Sequence, residues 1–296
     1  ADNIDLPELV KNLQETFGSQ CRPANLPAAD GSEIIDCIAN DSGDTAFSDA
    51  ASAHTELIES IIEADDDLME SYLGGEEITA DQISSVFVKA LKTGTVTPIV
   101  FTDAKAEKGI KELLELIVKY TPSPAEAEPA VLKDGENTTV LKADASGPLA
   151  GLVFRVTFDP KSSMKIVSIR IFSGTIKADT TLAKEGAKKG IRPGHILKSQ
   201  GGETQEIDAG VAGDIITLTK VEELKLNDLI EEGGLSGKFE LPQLPQPMFS
   251  LALEPAARGD EQKIGTALDK LCEEDPCFKV NRDQQTKELV VSGMGD

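Results

Sequence analysis

Residues 151–174, GLVFRVTFDPKSSMKIVSIRIFSG, decide the fold of the middle of this chain. Two runs within them, Leu152–Phe158 and Met164–Phe172, are rich in β-branched and aromatic residues and flank a short polar stretch. The pattern predicts two strands joined by a short connection. From Gly174 to about Ile230, glycines recur at turn spacing without a long helical pattern. This part of the sequence therefore predicts a small β-barrel.

Upstream of the barrel, residues 1–125 predict a mixed α/β fold. Val96–Phe101 is a continuous apolar run typical of a buried parallel strand, and a short loop and a helix follow it. Strand, loop and helix form the βα unit of a parallel sheet, whose strand ends carry ligand-binding loops. We expect the inner face of this helix to consist of Ile110, Leu113, Leu114, Ile117 and Val118.

Apolar spacing and helix-start signals predict three further helices in the same part of the chain. Apolar residues at helical spacing predict one helix from Leu6 to Phe17 and another in Leu57–Leu73. Asp65–Asp67 interrupts the second helix, and the position favours capping of a helix start over a metal site. Thr79–Gln82 is a capping box that opens a further helix.

Downstream of the barrel, the pattern predicts a strand, a helix and a hairpin. Met248–Leu253 alternates as a strand, Asp260 can cap the next helix, and Phe278–Val280 and Leu289–Val291 form two further strands. The order β-α-β-β is that of an incomplete split βαβ module. We therefore expect a partial ferredoxin-like α+β domain that is truncated at Asp296.

Charge and composition exclude several classes of function. The 296 residues carry a net charge of −23, which argues against bare-nucleic-acid binding through many phosphates. Most of the excess lies in residues 1–125, with 8 basic and 24 acidic side chains, whereas residues 126–296 carry 21 and 28. No apolar run has the length of a membrane span. Four cysteines without a zinc-like spacing predict reduced thiols and a cytoplasmic location, and no metal site or catalytic residue is expected.

Several motifs in order resemble those of translational GTPases, most closely the elongation factor G family. The most specific matches lie in the last 50 residues, and the barrel and residues 1–125 add others. The matching stretches are Glu63–Leu73, Pro98–Gly109, Tyr120–Pro124, Arg170–Lys177, Ala212–Ile215, Ser250–Pro255, Lys263–Leu268, Leu271–Pro276 and Val291–Asp296. Asp103 and Asp296 depart from the family, which usually has Ser and Glu at these positions.

The resemblance implies a fold and a division of the chain. The fold class is multidomain α/β plus all-β: a remnant of a P-loop GTPase α/β domain with an insert, a translation-factor-type β-barrel and a partial ferredoxin-like domain. The predicted segments are residues 1–125 (GTPase-domain part), 126–148 (linker), 149–232 (barrel), 233–247 (linker) and 248–296 (start of a third domain).

The resemblance also implies a nucleotide, although we expect this chain to lack the family's nucleotide-binding motifs, which are the phosphate loop GxxxxGK[ST], DxxG and NKxD. These motifs hold the phosphates, Mg²⁺ and guanine. We therefore expect GTP or GDP and Mg²⁺ in the intact protein and none in this chain, which we predict to be inactive as a GTPase. By the family pattern, the loop Asp103-Ala104-Lys105 contacts guanine in the intact protein. The alternative is an ordinary βα loop.

The resemblance further implies a ribosomal partner, contacted through ribosomal RNA and a small-subunit protein. The intact protein would couple GTP hydrolysis to tRNA–mRNA translocation or to ribosome recycling. Two alternatives stay open: a non-catalytic ribosome- or protein-binding module, and a ribosome-protection or release-factor-type paralogue. We expect a monomer without a membrane partner. The candidate ribosome contacts are Lys184, Lys188, Lys189, Arg170, Ser173 and Gly174, and further basic candidates are Arg155, Lys161, Lys165, Lys177 and Arg192.

Overall fold

The computed structural model describes residues 4–76, 78–184, 189–255, 257 and 259–295. The chain divides into two compact units, Ala1–Ala127 and Glu128–Asp296. The first unit is α/β and the second consists mostly of sheet, which agrees with the coarse fold class predicted from the sequence. Among the described residues, no helix is both long and apolar enough to cross a membrane.

The first unit packs helices against very short strands. Strands β1 and β4 pair in parallel, as the βα pattern predicts, and β2 pairs with β3 in an antiparallel manner. Helices α2 and α4 enclose the core, in which Leu57, Ile61 and Phe87 are fully buried. The elements are α1 (Leu6–Phe17), β1 (Cys21–Pro23), β2 (Asn25–Pro27), β3 (Ile34–Asp36), α2 (Ala50–Ile62), α3 (Asp66–Leu73), α4 (Ala80–Thr93), β4 (Thr97–Ile99) and α5 (Ile110–Tyr120).

Both predicted helix starts within this unit are confirmed. Asp65 precedes α3, and its carboxylate accepts a hydrogen bond from the Leu68 amide at 3.3 Å. At the start of α4, the Gln82 amide donates to Thr79 Oγ1 at 3.3 Å, and the Thr79 amide donates to Gln82 Oε1 at 2.9 Å. These bonds satisfy amides that a helix start leaves without intrahelical partners.

The predicted inner face of α5 is wrong in part. Leu114, Ile117 and Val118 are exposed, and Val118 keeps 85% of its accessible surface. The buried residue of this helix is Tyr120, whose ring lies 4.7 Å from that of Phe87. The apolar spacing correctly predicts a helix, but α5 has apolar side chains around more of its circumference than the described part of the unit covers.

The second unit is centred on antiparallel strands that share one core. A six-stranded sheet has the order β11-β10-β13-β8-β7-β14, and a ribbon of β9 and β12 contributes Ile176 to the same core. We refer to residues 149–231, which the sequence predicts to form a β-barrel, as the barrel. The strands of the second unit before residue 248 are β5 (Ala130–Asp134), β6 (Asn137–Leu141), β7 (Ala150–Phe158), β8 (Lys165–Ser173), β9 (Thr175–Lys177), β10 (Ile196–Gln200), β11 (Glu203–Glu206), β12 (Ala209–Val211), β13 (Ile215–Thr219), β14 (Leu229–Glu231) and β15 (Lys238–Phe239).

The segments 126–148 and 233–247, predicted as linkers, contain ordered strands. Strands β5 and β6 form a hairpin, and β15 pairs with the other edge of β5. Phe239 of β15 packs on Phe172 of the barrel, with ring centroids 4.8 Å apart. This small sheet therefore covers part of the outer face of β8.

The last segment has the predicted order of strand, helix and hairpin. We call residues 248–295 the C-terminal module; it consists of β16 (Phe249–Leu253), α6 (Glu261–Glu274), β17 (Lys279–Arg282) and β18 (Leu289–Gly293). Strand β18 lies between β16 and β17, and both pairings are antiparallel. Asp260 occupies the N-cap position, but its carboxylate lies 3.4 Å from Lys263 Nζ and does not cap the helix.

Candidate functional site

The predicted guanine-side loop lies between β4 and α5, at the carboxyl end of a parallel strand. It is a tight turn in which the Asp103 amide donates to the Lys108 carbonyl at 2.9 Å and the Lys108 amide donates back at 3.0 Å. Gly109 closes the turn with φ +73°, and a Cβ at this position would lie 2.5 Å from the Phe101 carbonyl oxygen. The loop thus needs glycine at its end, and Ala104 and Lys105 are exposed at its tip.

The Asp103 carboxylate stabilises its own loop. It accepts hydrogen bonds from the Lys105 and Ala106 amides, both at 3.0 Å. These bonds, the one from Ala106 first, hold the pKa of Asp103 below its usual value because they favour the charged form. The structure therefore gives Asp103 a local role at the position where the sequence predicted a guanine contact.

Sequence reasoning missed Asn25, which positions the entrance of this loop. Its side chain is buried; Oδ1 accepts from the Phe101 amide at 2.7 Å, and Nδ2 donates to the Phe101 carbonyl at 3.3 Å. A single amide side chain thereby satisfies both backbone groups of Phe101, two residues after β4. The available signal was an asparagine next to the apolar Leu26, since a buried polar side chain needs partners.

These residues do not fit a guanine nucleotide by themselves. Ala104 and Lys105 provide one exposed loop tip, and Asp103 is occupied by its own turn. The sequence supplies no GxxxxGK[ST] loop that would surround phosphates with backbone amides. The prediction that the chain contains no DxxG was wrong, because Asp144-Ala145-Ser146-Gly147 fits that pattern. In the structure it is a turn before β7, in which Asp144 accepts from the Ser146 amide at 2.8 Å.

Three of the candidate ribosome contacts have internal structural roles. The Arg170 guanidinium donates to the Gly213 carbonyl and ties β8 to the turn before β13. Ser173 is buried at the end of β8. Gly174 has φ +78°, and a Cβ there would lie 2.6 Å from Leu149 Cα. The bend after β8 therefore accounts for the serine and the glycine at positions 173 and 174 without any ribosomal contact.

The predicted lysine group is only partly on the surface. Lys184 Nζ lies 2.7 Å from Asp228 Oδ2, and its side chain is only 14% exposed. Lys188 lies outside the described residues. Lys189 is exposed, and no ion pair joins it to the part of the chain that the structure describes. Lys189 is therefore the member of this group that is best placed to meet an external phosphate.

The wider set of basic candidates divides in the same way. Lys165 was wrong as a surface candidate, since it is 1% exposed and paired with Glu273. The other four are exposed: Arg155, Lys161, Lys177 and Arg192. Alternation along β8 explains the error, because Lys165 shares the inward face with Val167, Ile169 and Ile171.

Two comparisons with known proteins find matches to this chain. Residues 244–296 match the family model described as elongation factor G, domain III. The whole chain also matches a crystal structure of a protein from Thermus thermophilus, with a TM-score of 0.81 and 28% sequence identity. The match covers 100% of this chain and 44% of that chain, so this chain spans less than half of its length.

An α/β unit, a barrel and a β-α-β-β module with a domain III match define a protein related to translation elongation factors. Within this class, the family-model match at the C-terminal end points to one family. Residues 244–296 are thus similar to domain III of elongation factor G, and the structural match extends over the whole chain.

Proposed function

We propose that this chain is part of a ribosome-binding translational GTPase that couples GTP hydrolysis to tRNA–mRNA translocation or ribosome recycling. The domain III match at residues 244–296, following an α/β unit and a barrel, is the observation that carries the proposal. A ribosomal partner implies a cytoplasmic protein. The net charge of −23 disfavours bare RNA, so the contact would depend on shape and a few exposed cations.

In this proposal, the intact protein binds GTP or GDP with Mg²⁺, and the described chain alone hydrolyses no GTP. The exposed loop tip at Ala104 and Lys105 would contact guanine only together with phosphate- and guanine-binding segments. A fluorescent guanine nucleotide should therefore not bind the purified chain at micromolar concentrations. Tight binding would contradict the proposal that this chain needs further phosphate- and guanine-binding segments to hold the nucleotide.

Co-sedimentation with ribosomes and with isolated small subunits tests the partner. We expect the chain to pellet with ribosomes and Lys189→Ala to weaken this binding, with a salt dependence whose slope falls by about one. Lys11→Ala, which removes an exposed lysine of the first unit, is the matched control and should bind as the unchanged chain does. Failure of the chain to bind any ribosomal particle would overturn the proposal and favour a module for another protein partner.

A further inference from the structure

The end of helix α6 carries charges that do not suit a helix terminus. Its last four residues, Leu271–Glu274, include two glutamates and no basic residue. The helix dipole places partial negative charge at this end, so two carboxylates there are unfavourable for the helix considered alone. Their position suggests that partners outside the helix compensate them.

The first partner is a buried lysine of the barrel. Lys165 Nζ lies 2.6 Å from Glu273 Oε2 and donates to the Glu222 carbonyl at 3.1 Å. The Lys165 side chain is 2% exposed, whereas that of Glu273 is 38% exposed. A buried ammonium without a counter-charge is strongly destabilising. Glu273 therefore supplies from the C-terminal module the charge that Lys165 requires in the barrel.

The second partner lies directly opposite Lys165 in the β7–β8 ladder. Phe158 pairs with Lys165, and its backbone amide donates to Glu274 Oε1 at 2.6 Å. Lys270, one turn earlier on α6, places its Nζ 5.1 Å from the centroid of the Phe158 ring. The last two turns of α6 thus hold the end of the β7–β8 ladder through an ion pair, a charge-assisted hydrogen bond and a cation–π contact.

Few buried apolar side chains support the same contact. Leu268 is the one buried residue among the described residues of the C-terminal module. None of the apolar core clusters of the described chain includes a residue of the module. Docking of the module on the barrel therefore depends mainly on polar contacts, which can break without exposing a large apolar surface.

We propose that these contacts form a releasable latch, consisting of Phe158 and Lys165 on the barrel and Lys270, Glu273 and Glu274 on α6. In the closed state, the latch fixes the module against the end of the β7–β8 ladder. In the released state, both parts keep their folds and the module moves relative to the barrel. Glu273 and Glu274 are positioning residues that favour the closed state.

Amide hydrogen exchange at Phe158, followed by NMR on the full chain, measures the latch directly. In Glu273→Gln/Glu274→Gln, we expect the Phe158 amide to exchange at least about tenfold faster, because the ion pair and the charge-assisted hydrogen bond are both lost. The Ile169 amide in the barrel should exchange at its original rate. The control, Glu261→Gln, removes one carboxylate charge at the first turn of α6 and should leave Phe158 unaffected.

The change in Phe158 amide exchange distinguishes a latch from a helix end whose two glutamates have no role in docking. Without docking, removal of the two carboxylates relieves the helix end and leaves Phe158 exchange unchanged, which would overturn the proposal. Equal acceleration at Phe158 and Ile169 would also overturn it, since the barrel itself would then be opening.

The salt dependence of amide exchange in the unchanged chain tests the latch even if the double variant does not fold. Raising NaCl from about 0.1 M to about 1 M shortens the Debye length from about 10 Å to about 3 Å. We expect Phe158 exchange to accelerate while Ile169 exchange stays constant. Phe158 exchange that is insensitive to salt would contradict an electrostatic latch.

Discussion

The barrel and the C-terminal module are both built mainly from antiparallel strands, yet they bury very different sets of side chains. Fifteen buried residues form the barrel core, whereas Leu268 is the one buried residue described in the module. Strand β8 has neighbours on both edges, and β5, β6 and β15 lie beyond its outer face. Among the described strands, β16 pairs with β18 alone. Apolar alternation therefore determines strand conformation, while the number of neighbouring elements determines burial.

The largest expected effect comes from the barrel core. Ile169→Ala removes a fully buried side chain from the centre of β8 and should lower the free energy of unfolding by about 2–5 kcal/mol. Urea denaturation followed by circular dichroism measures it. Leu251→Ala on β16 is the control, because Leu251 is 56% exposed and should change stability by less than about 0.5 kcal/mol. Equal losses would break the contrast between the two regions.

Backbone packing in the barrel gives the second effect. Gly174→Ala forces a Cβ to within 2.6 Å of Leu149 Cα at φ +78°, and we expect a loss of about 1–3 kcal/mol in the same measurement. Gly201→Ala is the matched control, since Gly201 has φ +59° with no heavy atom within 4 Å of the added Cβ. Gly201→Ala should lower the free energy of unfolding by only about 1 kcal/mol, the cost of a non-glycine residue at positive φ. A Gly201→Ala loss as large as that of Gly174→Ala would show that crowding at Leu149 is unimportant.

Sequence patterns were most informative where an element carries its own signal. The capping box at Thr79 and Gln82, the cap at Asp65 and the order of elements in the module all follow from local chemistry. The hairpin β5–β6 did not, because its strands are mostly exposed and lack the alternation that predicts a strand.

The errors at the candidate site arise from long-range contacts. Lys165 has Glu273 as its counter-charge, more than 100 residues away, and Asn25 holds Phe101 from a distant strand. Part of the predicted inner face of α5 is exposed because burial depends on which elements surround the helix. The sequence located the Asp103 loop correctly between a strand and a helix, but it could not show that the carboxylate binds amides of its own turn.

The third prediction tests how much the module depends on Leu268, the one buried residue among those described in it. Leu268→Ala should cost about 1–2 kcal/mol, less than Ile169→Ala, because few other buried side chains surround Leu268. Amide exchange in β17 and β18 should accelerate while exchange in β8 stays constant. A loss equal to that of Ile169→Ala, spread over the whole second unit, would mean that both regions share one cooperative core.

The smallest effect concerns two aspartates with the same turn chemistry in the two regions. Asp159, after β7, accepts from the Ser162 amide at 2.6 Å, and Asp283, after β17, accepts from the Thr286 amide at 2.8 Å. These backbone bonds are the largest cause that lowers the pKa of each carboxyl. Because the pKa is lowered, the charged carboxylate stabilises the fold at pH values above the ordinary pKa of about 3.9. This stabilisation is lost as the pH falls through the lowered pKa.

Asp159→Asn and Asp283→Asn keep an oxygen acceptor and remove the charge. Each variant should therefore be slightly less stable than the unchanged chain at pH 7, and the difference should vanish in acid, below the lowered pKa. We expect Asp159→Asn to lower the thermal midpoint of the barrel, which unfolds with its large core. Asp283→Asn should accelerate amide exchange only at Gln285 and Thr286, since the module hairpin can open locally. A pH-independent difference would contradict the charge-based origin of both effects, and a global effect of Asp283→Asn would contradict the weak coupling of the module to the barrel core.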